Sequence, residues 1–169
     1  NLMRKNFKKI NIPRFDKSSD ERFSKKNWQK ITKRPDIIIF EGWCVGANHE
    51  LITKLSKPVN ILEKKEDGKL TWRKKVNNEL KTKYKKIFSL IDKKIFLKIP
   101  NFKYVLEWRL LQEKKLRRKF KKKTMTSLEV KKFIMFYERI TKNMIKNYKS
   151  NDIILFIDKK HKIKSMENK

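Results

Sequence analysis

The segment 34–46, RPDIIIFEGWCVG, holds the residues of this chain best suited to chemistry. Four consecutive apolar residues, Ile37 to Phe40, have the composition of a short strand buried on both faces, and Glu41 closes it with a carboxylate. Gly42 and Gly46 then allow a sharp turn or a close backbone approach to a ligand. Ligands of open α/β folds bind beyond the carboxyl ends of strands, so Glu41 stands where chemistry is usually done; the competing reading is a strand that merely ends at an acidic turn. A second cluster, Arg14, Asp16, Lys17 and Arg22, places donors and acceptors together in a polar turn. An arginine fork there can grip a carboxylate through two hydrogen bonds while Asp16 accepts from a hydroxyl. A solvated loop held by weak local ion pairs is the alternative. Further along, Arg109 and Gln112 lie three apart on one helical face with Arg117 and Arg118 at its end, and Arg73 and Asn77 lie four apart on another.

The elements that must position these groups follow from periodicity. From Asp67 onward Trp72, Val76, Leu80, Tyr84, Phe88 and Ile91 recur at spacings of four and three, which predicts a helix over 68–92. Residues 95–99 read as a strand stopped by Pro100. A helix over 102–118 sets Val105, Trp108, Leu111, Gln112 and Leu116 on one side, ahead of a basic run at 121–123. Thr126 and Glu129 form a capping-box pattern that starts a third helix, 127–148, carrying Phe133, Phe136, Tyr137, Ile140, Met144 and Tyr148. A last strand covers 153–157, and Asp158 to His161 turn out of it. Alternation of strands and helices is the order of an α/β domain, with three roughly parallel strands near 37–41, 95–99 and 153–157. Three strands make a thin sheet for so many helices, so one edge or face is expected to be apolar and uncovered.

Composition bounds the rest. With 38% hydrophobic and 11% aromatic residues in 169, the chain has enough packing material for one domain and is not a wholly disordered segment. No apolar run approaches the roughly 20 residues of a membrane span, and no apolar block follows the basic start. A single cysteine, Cys44, excludes an internal disulfide and fits a reducing, cytoplasmic compartment. With His49 and His161 far apart, no usual structural zinc site can be assembled. The net charge of +30, from 48 Lys and Arg against 18 Asp and Glu, is the footprint of a nucleic-acid binder. Yet lysine greatly outnumbers arginine, Ile and Asn dominate, and Gly, Pro and Ala are scarce, a balance that AT-rich codons alone produce. The lysines also spread along the polar sides of periodic segments. Nucleic acid is therefore not the expected partner.

A series of matched segments sharpens the reading. These are Ile12 to Arg22, Ile39 to Gly46, Asn60 to Glu63, Asp67, Trp72-Arg73, Val76-Asn77, Val105 to Glu113 and Phe133 to Thr141. Over about residues 10–158 the chain resembles the D-glycerate 3-kinase-like family of P-loop kinases, related to uridine kinase, phosphoribulokinase and pantothenate kinase. The resemblance implies part of a P-loop NTPase-type three-layer sandwich with a parallel sheet, incomplete at its N-terminus. It also implies an ATP- and Mg2+-dependent transfer of phosphate to a small hydroxylated substrate, glycerate first. Phosphoryl transfer rests on positioning and charge neutralisation. In that frame Glu41 is the Walker-B-like acid acting on Mg2+, and Arg14, Asp16, Lys17 and Arg22 grip a hydroxy acid beside Trp43. Arg109, with Gln112, Arg117 and Arg118, belongs to a lid over the ATP phosphates, and Arg109 is also catalytic. Arg73 and Asn77 are candidate substrate contacts. Tyr137, Glu138 and Arg139 read as structural, the last two fixing the final helix. No Gly-x-x-x-x-Gly-Lys-Ser/Thr occurs, since Gly42, Gly46 and Gly68 are the only glycines. The chain enters the family pattern at its middle, so residues 1–169 are expected to be a single domain forming the carboxy-terminal portion of a kinase. That portion would be inactive until a phosphate-loop segment completes it. A basic nucleic-acid-binding protein and a catalytically inactive kinase remnant are the alternatives.

Overall fold

The computed structural model describes residues 2, 5–16, 19, 21–120 and 124–169, with the backbone alone at 119 and 120. Lys17 and the basic run 121–123 lie outside the described residues. The chain divides into two compact units, Asn1–Glu41 and Gly42–Lys169.

The first unit is built from two antiparallel pairs. Strand β1 (Ile10–Ile12) pairs with β4 (Gln29–Ile31), and inside that ribbon β2 (Phe15–Asp16) pairs with β3 (Glu21–Arg22). The segment expected to be a polar turn thus contributes two short paired strands. After it, Ile37 to Phe40 form no strand: among the described residues nothing pairs with them, and Ile37 and Ile39 are 81% and 86% exposed. The expected buried strand 37–41 is corrected on this point. Apolar composition gives a segment reason to be covered, but a strand exists only through the ladder bonds of a neighbour.

The second unit is mixed α/β. Short helices α1 (Ile52–Leu55) and α2 (Ile61–Glu66) precede α3 (Thr71–Glu79), which runs through a π-helical turn, Leu80–Tyr84, into α4 (Lys85–Phe88). Strand β5 (Ile95–Lys98), helices α5 (Lys103–Phe120) and α6 (Ser127–Lys146), and strands β6 (Ile153–Ile157) and β7 (Ile163–Asn168) complete it. The three long helices and two of the strands fall where periodicity placed them. β5 and β6 are parallel, as expected, but β7 returns antiparallel on β6, giving a mixed sheet of order β5-β6-β7. Asp158 holds that return, its carboxylate accepting from the Lys160 and Lys162 amides at 2.8 and 2.9 Å, while His161 takes a left-handed φ of 62°.

The α6 start is the capping box read from sequence: Thr126 Oγ1 accepts from the Glu129 amide and Glu129 Oε2 from the Thr126 amide. Thr126→Ala is therefore expected to lower stability by about 1 kcal/mol, read as a shift of the urea midpoint. An unchanged midpoint would show that α6 is held by packing alone.

The core is small. Among the described residues, only Ala47, Leu55, Leu80, Val130, Ile134 and Ile154 are buried apolar side chains. Register explains where the remaining apolar surface goes. Ile154, fully buried, shares one sheet face with Phe96 and Phe156, and Phe156 meets the Tyr148 ring edge-on at 6.0 Å. The other face carries Ile95 and Leu97, then Ile153, Leu155 and Ile157, then Ile163 and Met166. Of these, Ile95, Leu97, Ile163 and Met166 are all more than half exposed. An apolar, uncovered sheet face is what the thin sheet led us to expect. Parallel strand pairs are ordinarily covered on both sides.

Candidate functional site

In the first unit, the hairpin fixes where the charged side chains can point. Phe15 lies opposite Arg22 and Asp16 opposite Glu21, so Arg22 shares a face with Phe15, while Arg14, one residue earlier, projects to the other. Arg14 and Arg22 therefore do not converge on one face of the hairpin. The Arg14 guanidinium lies over the Phe23 ring at 5.2 Å, and the Arg14 carbonyl accepts from the Phe23 amide. Glu41 is exposed at the end of the unpaired segment. Among the described residues no three His, Cys, Asp or Glu side chains converge on a metal position. Magnesium does not require such a cage, since one or two carboxylates plus phosphate oxygens and waters complete its octahedron. A single exposed carboxylate is compatible with that donor set.

Residues Gly42 to Ala47 form consecutive turns, closed by Val45 N–H to the Gly42 carbonyl and Ala47 N–H to the Cys44 carbonyl. Gly46 adopts φ of 79°, the left-handed region that favours glycine. Trp43 donates to Thr141 Oγ1 at 2.9 Å and stands edge-on to Tyr137 at 4.7 Å, so it anchors this turn on α6. Burial pushes the Cys44 thiol up from its ordinary value, which leaves it protonated and a poor nucleophile.

On α5, Arg109 and Gln112 are brought together as their spacing required, with Arg109 Nη1 donating to Gln112 Oε1 at 2.5 Å. Arg109 Nη2 pairs with Glu113 at 2.8 Å and the guanidinium lies over Phe133 at 5.3 Å. Glu113, itself buried, also accepts from the Met125 amide, tying α5 to the start of α6. Arg109 is thus held by neighbours rather than extended into solvent. Arg117 donates to Thr124, and Arg118 is exposed.

The largest polar assembly was not expected from sequence. Arg139 of α6 donates from Nε and Nη2 to the two oxygens of Glu63, at 2.8 and 2.7 Å, and from Nη1 to Glu50 at 3.1 Å. It also caps α1, donating to the Lys54 and Lys57 carbonyls. Arg73 of α3 donates to Asp67 Oδ2 at 2.9 Å and to the carbonyls of Leu55, Glu63 and Asp67. Asp67 takes the role of a distant N-cap: its two oxygens accept from the Trp72 and Arg73 amides. Leu70, the residue directly before α3, sits at φ of 65°. Asn77 is matched to the backbone of Glu50, accepting from its N–H and donating to its carbonyl. Asn60 caps α2 and reaches Glu138 of α6.

Two acids of this assembly are kept ionised. Burial would raise the Glu63 carboxyl, but hydrogen bonds from Arg139 and the Val59 amide, with the charges of Arg139 and Arg73, outweigh it and hold the group below the usual carboxylate range. Burial likewise opposes the Asp67 carboxylate, and bonds from Arg73 and the Trp72 and Arg73 amides carry it below its ordinary value. Arg139 is raised in return: burial disfavours its charge less than Glu63 and Glu50 favour it.

This assembly bears on two sequence expectations. The Arg73 guanidinium, 5% exposed, is committed to Asp67 and to backbone carbonyls, and the Asn77 amide to Glu50. Both are thereby framework groups, with no exposed fork to offer an acceptor. The α3 stripe is also turned. Arg73, Asn77 and Leu80 face inward, whereas Trp72 and Val76, expected in the core, are 63% and 42% exposed. They line a cavity of about 460 Å³, walled across by Phe136 and Ile140 of α6 and floored by Leu55 and Leu62. A sequence signal for the assembly existed: Asn60 and Glu63 have helix-capping spacing, and Asp67 precedes a helix with arginine in its first turn.

The fold has solved counterparts. D-glycerate 3-kinase from Cryptococcus neoformans var. grubii superposes with a TM-score of 0.72 at 22% identity, covering 95% of this chain and 60% of that one. The YGR205w protein superposes with a TM-score of 0.69 at 24% identity, covering 97% of this chain and 59% of that one. The chain thus spans about 60% of the length of these structures and shares their fold throughout. No protein-family model matches it, and no curated protein does.

Proposed function

We propose that this chain is the carboxy-terminal portion of an ATP- and Mg2+-dependent kinase that phosphorylates a small hydroxylated acid, glycerate being the first candidate. The observation that carries the reading is the fold likeness over nearly the whole chain to a D-glycerate 3-kinase of which this chain covers 60%. The bare sheet face of Ile95, Leu97, Ile163 and Met166 supports it, since further chain docked there would complete a two-sided sheet.

In this reading residues 1–169 work as one kinase portion in the cytoplasm. No described helix is long and apolar enough to cross a membrane. Glu41 would hold Mg2+, which when bound would supply charge neutralisation at the transferring phosphate. Arg14 and Asp16, on one face of the hairpin, would bind the acceptor's carboxylate and hydroxyls, with Arg22 on the other face and Lys17 and Trp43 as further candidate contacts. Arg109 and Gln112 meet ATP phosphates, for which Arg109 exchanges part of its contact with Glu113 for a phosphate oxygen, and Arg117 and Arg118 add charge at the helix end. Arg73 and Asn77 act through the framework, holding α3 in place.

The test is direct. Residues 1–169 alone should give no glycerate-dependent ATP turnover, because no sequence in them supplies the amide cradle and lysine that hold β- and γ-phosphates. Turnover should appear when a phosphate-loop segment equivalent to the uncovered part of the solved kinase is supplied. Robust phosphorylation by residues 1–169 by themselves would overturn the reading.

A further inference from the structure

The cavity between α3 and α6 carries an inference that stands apart from the kinase reading. We propose that it binds a small organic cation with an apolar body, an alkyl or aryl amine. Its volume, about 460 Å³, lies in the range of small-molecule sites. Two of its lining aromatics, Trp72 and Phe136, are left 63% and 61% exposed. The α3 helix leaves Trp72 and Val76 exposed at this space, where burial alone would have covered them, while Arg73, which also borders it, is spent on Asp67 and backbone carbonyls. Its backbone is irregular on the same wall, with the left-handed Leu70 before it and the π-helical turn after it. Such distortions concentrate at functional positions.

Charge selects the ligand class. The lining carries four carboxylates, Glu50, Glu63, Glu66 and Asp67, against Arg73 and Arg139, and no lysine, in a chain of net charge +30. Three of the four are committed to the two arginines. Glu66 is different: it pairs at 3.0 Å with Lys132, both side chains more than half exposed. Exposed pairs of this kind are weak, so Glu66 can turn to an incoming ammonium. Trp72 offers a π surface that already attracts a cation, the Lys75 ammonium at 5.5 Å from its ring centre. A hydroxy acid or a nucleotide, being anionic, is disfavoured here, which separates this cavity from the acceptor and ATP positions.

Three probes sharing one ring but differing in charge test the proposal: benzylammonium, benzyl alcohol and benzoate, titrated into the chain while the NMR signals of Val76, Leu80 and Ile140 are followed. Benzylammonium should bind tightest and benzoate weakest, the two separated by about tenfold or more. Glu66→Lys should erase that separation, and Phe136→Ala should weaken all three probes; both positions are exposed, so folding is spared. Benzoate binding as tightly as benzylammonium, or a charge preference untouched by Glu66→Lys, would overturn the proposal. So would probes that leave these three residues unmoved.

Discussion

Arg139→Ala is expected to remove about 3–5 kcal/mol of folding stability, a large share of the roughly 5–15 kcal/mol that holds a domain together. The arginine satisfies both oxygens of Glu63, one of Glu50 and two carbonyls at the end of α1, joining α6 to three earlier segments. Truncation leaves a buried carboxylate without its partner. Arg139→Lys should recover little, because an ammonium cannot make the two parallel bonds to Glu63 while also reaching the carbonyls. The pH dependence identifies the mechanism. In the native chain Glu63 and Asp67 have folded pKa values below their unfolded ones. Their contribution is therefore full above the unfolded values, near pH 4 to 4.5, and is lost as pH falls through the folded ones. In Arg139→Ala the strongest bonds that favour the Glu63 charge are gone, so burial weighs more heavily against it. The deficit of the variant should thus narrow as pH falls, since a protonated acid tolerates burial. Urea titrations from neutral pH to about pH 3.5 measure this. A deficit below 1 kcal/mol, or one that widens in acid, would show that the assembly does not hold the fold.

How much of this was legible in sequence depends on how local the signal was. The helices over 71–88, 103–120 and 127–146 were visible because a 3.6-residue period and a capping box act within a few turns. β5 and β6 were visible as short apolar runs bounded by a proline and an acidic turn. β7 was not. Ile163 and Met166 are its only large apolar residues, all of it is exposed, and a left-handed His161 gives no turn signature of the Asn-Gly kind. Segment 37–40 shows the opposite failure: its composition is that of a buried strand, but composition specifies no neighbour. The acid–arginine assembly was hidden for a further reason. Its members, Glu50, Glu63, Asp67, Arg73 and Arg139, are up to 89 residues apart, and each reads locally as a surface charge. Only the helix orientation reveals that Arg73 is buried while Trp72 stays exposed, a choice set by the Asp67 cap and the carbonyls that accept from the guanidinium.

In the proposed intact kinase, Glu41→Gln should lower phosphate transfer by about a hundredfold or more while leaving the folded state unchanged. The substitution keeps size and shape and removes one charge. Glu41 is exposed, so no buried partner is orphaned by the change. A carboxylate that holds Mg2+ acts on charge that develops as the phosphoryl group moves, so its loss should appear in kcat rather than in urea stability. It should also raise the Mg2+ concentration needed for half-maximal rate, a readout that a purely structural residue would not move. Arg109→Ala gives the contrasting pattern. Its guanidinium is shared among Gln112, Glu113 and the Phe133 ring, so truncation should weaken ATP handling and also loosen the α5–α6 contact. Arg14→Ala, which removes a guanidinium lying over the Phe23 ring, should act chiefly on the KM of the acceptor. If Glu41→Gln leaves kcat and the Mg2+ requirement intact, Glu41 is only the polar end of an apolar segment. The metal would then have to be held by residues outside this chain.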